Sequence, residues 1–295
     1  MTLFGVPDNK RDGQASTSPV MKVSFIIPTY NTLALTTQCI ESLRSTVDLK
    51  KHEVIIVDDN SSDGTREYLQ SLPATYKIIY NAVNQGYARN CNAAAKEATG
   101  DFLCLCNSDL IFLKGWLGPL LKAFEKSKST GFVGNIQRRV DNNWIDHAGV
   151  YFLADGMPLH VAQNKTYTPM LRYLPVSAVT AACCVIRAEL FREFGGFDEK
   201  YLNGFEDTDL CLRLKEAGYQ HYVATRSTVL HHISSSPGRK AQENENRYLF
   251  AEKWQSVTKV IAAKEETCWH QFHRVMDYPS LVRWFLHFQK NIRLY

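Results

Sequence analysis

Short β-rich runs separated by helical patterns fill the first half of the chain, and this alternation constrains its fold more than any other feature. Val23-Ser-Phe-Ile-Ile27, Glu53-Val-Ile-Ile-Val57, Lys77-Ile-Ile-Tyr80 and Asp101 to Cys106 read as strands. Ala34 to Arg44, Asp63 to Leu72, Tyr87 to Ala98 and Trp116 to Lys126 have helical spacing, with Asp63 as an N-cap and Gly100 closing the third helix. Such an order predicts an α/β fold with a mostly parallel central sheet and helices on both faces. An antiparallel α+β domain is the competing arrangement.

Parallel sheets bind ligands at the carboxyl ends of their strands. Here the first strand runs into Pro28-Thr-Tyr-Asn31 and the second into Asp58-Asp-Asn-Ser-Ser-Asp-Gly64. The third is followed by Asn84-Gln-Gly86 and the fourth by Asn107-Ser-Asp109. One acidic turn is an ordinary helix cap; four polar clusters on one rim predict a ligand site. No GxGxxG follows the first strand and no GxxxxGK[ST] occurs anywhere, which argues against dinucleotide and P-loop chemistry. Strand-end carboxylates point instead to a nucleoside and a metal.

The second half is less regular. Asn142 to Gly156 reads as a loop or hairpin, Val176 to Ile186 as a buried strand and Gly195 to Asp198 as a turn. Phe205 to Ala217 reads as an amphipathic helix ending at Gly218, and Val223 to His232 as a strand entering a serine loop. The net charge is +4, from 34 basic and 30 acidic residues. That balance implies no nucleic-acid partner. Eight cysteines form no CxxC pair, so buried free thiols are expected. No apolar run reaches the roughly 20 residues of a membrane span, and Met1 to Val20 lacks the apolar middle of a signal peptide. A flexible leader over 1–21 and a cytoplasmic location are the expectation.

Taken in order, Pro28-Thr-Tyr-Asn31, Val57-Asp-Asp-Asn-Ser-Ser-Asp-Gly64, Asn84-Gln-Gly-Tyr-Ala-Arg89, Asn107-Ser-Asp109, Gly195-Gly-Phe-Asp198, Glu206-Asp-Thr-Asp-Leu210 and His231 resemble the family 2 glycosyltransferases, which have the GT-A fold. Each motif is weak alone; the ordered set is specific. The resemblance covers about residues 22–240, leaves 241–295 as a C-terminal helical extension, and lies nearest the rhamnosyltransferase-like branch that builds bacterial surface polysaccharides.

The resemblance implies an inverting transfer of a sugar from a UDP- or dTDP-sugar to a hydroxyl of a saccharide, lipid-linked or protein acceptor. Pro28, Thr29, Tyr30 and Asn31 would line the base and ribose. Asp59 would accept the imide N–H of uracil or thymine with Asp58 as its structural partner, or the two roles are exchanged. Asn84, Gly86, Arg89, Asn107 and Ser108 complete the expected nucleotide site, with Arg89 either on the diphosphate or in solvent. Asp109 occupies the position of a DxD metal ligand, for Mn2+ or Mg2+. Asn107 departs from that motif, since an amide is a neutral, weaker ligand. His231 would complete the metal shell, with adjacent His232 as the alternative.

Glu206 and Asp207 are the expected catalytic pair, with Asp207 as general base; Asp209 and Arg213 stand one helical turn apart, as an ion pair would. Asp146 to Gly149 and Asp155-Gly156 resemble the variable region where sugar and acceptor specificity sit, and Ala181 stands where many relatives carry glycine. The competing functions are a nucleotidyltransferase, disfavoured by the absence of a glycine-rich loop after the first strand, and a non-catalytic nucleotide-sugar-binding module. Finally, Leu281, Trp284, Phe285, Phe288, Ile292 and Tyr295 share one helical face opposite Arg283, Lys290 and Arg293. Either that face packs on the domain, or the helix makes peripheral contact with the inner face of a membrane.

Overall fold

Every residue of β1 (Val23–Thr29) is buried, and alternate side chains serve opposite faces. Phe25 and Ile27 enter one hydrophobic cluster and Ile26 the other. A strand apolar on both sides can only lie in the middle of a covered sheet. In the computed structural model, which describes residues 21–166, 171–233 and 243–276 with side chains followed to 264 in the last helix, that is its place. The leader before Met21, the serine loop from Ser234 and the tail from Leu281 to Tyr295 lie outside the described residues.

The elements run α1 (Leu33–Thr46), β2 (Glu53–Asp58), α2 (Thr65–Gln70), β3 (Tyr76–Tyr80), α3 (Tyr87–Glu97), β4 (Phe102–Cys106), β5 (Leu110–Phe112), α4 (Leu117–Phe124), β6 (Thr130–Arg139), β7 (Ile145–His147), β8 (Val150–Phe152), β9 (Pro158–His160), β10 (Tyr173–Val176), β11 (Cys183–Arg187), α5 (Ala188–Glu193), α6 (Glu206–Glu216), β12 (Gln220–His231) and α7 (Glu243–Met276). The central sheet has the order β10-β12-β6-β11-β4-β1-β2-β3. β3, β2, β1 and β4 are mutually parallel, as the alternation predicts. Beyond β4 the sheet is mixed: β11 is antiparallel to β4 and β6, while β12 runs parallel to β6.

α1 and α4 cover one face through Cys39, Ile40, Leu43, Leu120 and Phe124. α3, α5 and α6 cover the other, and Ala88, Ala94 and Ala95 let α3 lie close to the strands.

Three local expectations change. The apolar stretch 176–186 is not one strand: it holds the last residue of β10, a turn over 177–182 and most of β11, because β10 leaves to pair with β12. β6, unforeseen, is a ten-residue strand interrupted by polar but buried Asn135 and Gln137. Asp63 is not the N-cap of α2. Gly64 takes that position at φ +94°, and the Asp63 carboxylate accepts the amides of Thr65 and of Leu33, the first residue of α1. One acidic side chain thus ties together two helix starts.

The turn after α5 is fastened by an amide clasp. Asn92 donates to the Phe197 carbonyl and accepts the Phe197 amide, both at 2.9 Å. Gly196 has φ +69°, and a Cβ there would lie 2.4 Å from Asn92 Oδ1. Gly195 also has positive φ, but its Cβ would meet nothing within 4 Å. Gly196→Ala is therefore expected to destabilise the fold by about 2–4 kcal/mol, from strain plus the broken clasp. Gly195→Ala should cost only strain, about 1 kcal/mol. Urea unfolding of the two variants checks this; equal losses would mean that the clasp contributes nothing.

Candidate active site

The carboxyl ends of β1 and β2 meet across a layer of hydroxyls and carboxylates. Thr29, where β1 ends, bonds Thr32 at 3.0 Å and Thr36 at 2.6 Å, and Thr32 reaches Ser108 at 3.3 Å. This buried chain links β1, the first turn of α1 and the Asn107-Ser-Asp109 segment. Pro28 is buried in the strand, and Tyr30 and Asn31 are half-buried at the rim. Asn31, at φ 49°, is committed to the neighbouring loop: its amide donates to Ser61 Oγ and its Oδ1 accepts the Ser62 amide.

The two β2 carboxylates have different surroundings. Asp58 is fully buried, accepting Arg66 Nε at 2.7 Å and the Ser61 amide at 3.0 Å. Asp59 accepts Asn81 Nδ2 and the Gln85 amide at 2.8 Å on one oxygen, and the Gly86 amide at 3.0 Å on the other. A carboxylate has about four lone-pair directions, so Asp59 keeps one for a further donor. Gly86 is needed at φ +82° to turn its amide onto Asp59.

Asp109 follows β4 and His231 ends β12, strands that are not neighbours in the sheet. β5 bridges them, pairing Leu110 with His231. His231 Nε2 lies 3.1 Å from Asp109 Oδ1, and its Nδ1 lies 3.5 Å from Asp146 Oδ2. Burial alone would lower the His231 pKa; the two carboxylates outweigh it and raise it to about 9. Burial would raise the Asp146 pKa, but His231 and the imidazoles of His160 and His147 hold it below the usual carboxylate value. His232 turns away, with Nε2 2.9 Å from Gln38 Oε1.

The Asp109–His231 pair fits a divalent cation. Two ligands at right angles, each about 2.1 Å from one cation, stand about 3 Å apart, as these atoms do. The carboxylate oxygen suits Mn2+ or Mg2+, and an imidazole nitrogen beside it favours a transition-metal ion such as Mn2+ over Mg2+. A separate group of possible ligands, the buried thiols of Cys104, Cys106 and Cys183 within 4.8 Å of one another, lies inside the core on the α1 face and has the softer donors of a different class of ion. A cavity of about 490 Å3, with Arg139, Asp146, Gln163 and His231 in its lining, opens beside the Asp109–His231 pair.

The acidic start of α6 sorts its three carboxylates by contact. Glu206 is buried and accepts the Gly204 amide at 2.6 Å. Asp209 is fully buried and accepts Arg213 Nε at 2.9 Å, the expected ion pair. Asp207 is half-buried, accepting the Ala181 amide at 2.9 Å and the Thr208 amide at 2.6 Å. The Ala181–Ala182 turn is shared: Tyr87 Oη donates to the Ala181 carbonyl, and the Ala182 carbonyl accepts the Asn107 amide at 2.8 Å. One turn therefore touches both the α6 acid and the segment that leads to Asp109. Asn203, Gly204 and Phe205, just before α6, have φ 125°, 137° and 72°, a concentration of backbone strain typical of functional sites.

Arg89 and Asn84 stand apart from this convergence. Arg89 is exposed and pairs with Glu199 at 3.4 Å, and Asn84 is exposed. Sequence reading missed Arg66 and Asn81, which hold the β2 carboxylates, and the contact of Asp146 with His231. An arginine eight residues beyond Asp58 is a detectable if weak signal; Asp146 stood out only as part of the variable region, and nothing in three-residue β7 announces its contact with His231.

The family model for glycosyl transferase family 2 matches residues 24–195, more than half of the chain, and the chain belongs to that family. It is 30% identical over 230 residues to a Sinorhizobium fredii protein named "Uncharacterized protein y4gI", covering 74% of this chain and 25% of that one. It is 26% identical over 231 residues to the N-acetylglucosaminyl-diphospho-decaprenol L-rhamnosyltransferase of Mycobacterium tuberculosis, covering 67% of this chain and 73% of the relative. The chain thus spans a quarter of the length of the first relative and most of the second. Among solved structures, GalNAc-T7 with UDP, GalNAc and Mn2+ superposes with a TM-score of 0.61 at 16% identity, over 72% of this chain and 44% of that one, which shows a shared fold.

Asp58 is fully buried, and Arg66 is its cationic partner. Arg66→Met is expected to destabilise the protein by about 3 kcal/mol by leaving that charge unpaired. Adding Asp58→Asn should recover part of the loss, as coupled sites do. Chemical denaturation of the single and double variants measures this; strictly additive losses would contradict the coupling.

Proposed function

We propose that this family 2 chain transfers a sugar from a nucleoside diphosphate donor to a hydroxyl acceptor with inversion, and that Asp207 is the base. One observation carries the reading. Of the three acids that open α6, Glu206 caps the turn before its own helix and Asp209 is sealed in an ion pair, so Asp207 alone is half-exposed beside the turn that also holds Asn107. Inverting transfer needs one carboxylate to take the acceptor proton as the anomeric carbon is attacked. A glycosidase would need a flanking carboxylate pair.

In this reading the remaining lone pair of Asp59 accepts the base imide N–H, while Thr29, Tyr30 and the Asn31 backbone shape the nucleoside pocket. The backbone contacts on Asp207 aim its carboxylate with little loss of side-chain freedom. Asp109 and His231 would hold a divalent cation, whose charge, when bound, stabilises the departing diphosphate. The Mn2+ in the GalNAc-T7 structure supports this choice of ion.

The acceptor we infer is a saccharide on a lipid diphosphate. The name of the mycobacterial relative supports that class, and the apolar, cation-backed pattern of Leu281 to Tyr295 suits peripheral contact with the cytoplasmic face of a membrane. Among the described residues no helix is long and apolar enough to cross a membrane.

Incubation with UDP-, dTDP- and GDP-sugars, with nucleoside diphosphate release as readout, tests the activity; release from none of them, with acceptor present, would overturn it. Asp207→Asn should lower kcat by about 100-fold or more while leaving donor binding intact. A folded variant with near-normal turnover would remove Asp207 from the role. Asp109→Ala should weaken Mn2+ binding, read by the paramagnetic signal of free Mn2+, by about 10-fold or more. Unchanged Mn2+ affinity would contradict the metal assignment.

A further inference from the structure

α7 lies beyond the residues matched by the family model, yet its side chains reach the acid-bearing helix. Trp254 Nε1 donates to Asp209 Oδ1 at 2.7 Å, and Lys253 Nζ lies 2.7 Å from the same oxygen. Arg213 holds the other oxygen and also donates to the Phe194 and Gly196 carbonyls. Lys253 in addition reaches Asp198 Oδ2 at 3.3 Å. Asp209 is thus a fully buried charge with two cations and an indole N–H around it, supplied by two helices and tied to the Gly195-Gly-Phe-Asp198 turn. A buried carboxylate with this many charge-assisted partners has one permitted position.

The same helix presses on the strained turn that precedes α6. Phe250 packs against Phe205 with ring centroids 4.9 Å apart, and Asn246 Oδ1 accepts the Leu202 amide at 3.3 Å. Successive positive φ values at residues 203–205 persist only where the surroundings over-determine them, and α7 supplies those surroundings. On its other side α7 meets the β8–β9 hairpin. Gln255 donates to the Asp155 carbonyl at 3.1 Å, and Gly156 approaches so closely that a Cβ would lie 2.6 Å from Thr258 Oγ1.

We infer that Trp254 and Lys253 are positioning residues for transfer: they fix Asp209, and through the first turn of α6 they set the carboxylate of Asp207 two residues earlier. This rests on the reading of Asp207 as the base. The helix is then a working part of the active site, joining the acid-bearing turn to the hairpin at Asp155-Gly156.

The test is Trp254→Phe, which keeps an aromatic ring and removes the N–H, beside Lys253→Met, both in the full chain. Each is expected to lower kcat by about 10-fold, within the range that small misplacements of a catalytic group produce. The donor KM and Mn2+ affinity should stay within twofold of the parent, and Lys253→Arg should restore most of the rate. Hydrogen exchange at the amides of residues 207–209 should quicken in Trp254→Phe while exchange in β1 and β2 does not change. Should Trp254→Phe fail to fold, Lys253→Met, at an exposed position, carries the same test. Parental kcat and parental exchange in either folded variant would overturn the inference. So would a rise in donor KM at unchanged kcat, which marks lost donor binding and not a displaced base, or a fall in kcat that vanishes once the rate is normalised to the folded fraction, which a merely structural loss gives. The exchange readout is independent of the base: if Asp207→Asn kept full activity while exchange at 207–209 still quickened in Trp254→Phe, the assignment of the base would fail and the brace would stand.

Discussion

In the parallel half of the sheet, buried on both faces, the polar side chains gather at the ends of the strands, and the rest of this molecule follows from that constraint. β1 and β4 are buried along their whole length, and β2 nearly so. Thr29, Asp58, Asp59 and Asn107 therefore all leave the sheet at one rim. The antiparallel strands beyond β4 extend the rim: β12 brings His231 to Asp109, and the turn before β11 brings Ala181 to Asp207. Four strands and one helix start thereby converge without a long loop having to carry any of the key side chains.

Burying charge at the rim demands partners, and each buried ionic group here has them. Asp58 uses Arg66, Asp209 uses Arg213 and Lys253, and His231 lies between two carboxylates. Such groups contribute little net stability against an apolar alternative, but each is costly to leave unpaired. Their effect is to restrict geometry. The carboxylate left half-exposed among them, Asp207, is held by backbone amides, which do not move with side-chain rotamers.

The parallel half of the fold was legible because its signals are local. Val23 to Ile27 and Glu53 to Val57 are short apolar runs, and the polar residues after them are contiguous in sequence. β6 was illegible because Gly134, Asn135 and Gln137 break the pattern of a strand that is nonetheless buried there. The end of β10 and the start of β11 looked like one strand because the turn between them, Ser177 to Ala182, is mostly small and buried. At the site, Asp109, His231 and Asp207 were readable from their motifs. The partners that hold them were not: Trp254 and Asp209 are 45 positions apart, and Asp146 meets His231 only after β5, β6 and β7 have assembled. A carboxylate can be found by its neighbours in sequence, but its orienting contacts come from tertiary structure.

The proposed mechanism makes one demand that no binding module, nucleotidyltransferase or double-displacement enzyme shares. A single carboxylate acting on the acceptor gives one displacement, so the configuration at the anomeric carbon must invert. NMR of the first product formed, using the donor that releases nucleoside diphosphate, reads this from the one-bond C1–H1 coupling constant, which separates the two anomers whatever the sugar. The account predicts a product of configuration opposite to that of the donor. A product that keeps the donor configuration would contradict it.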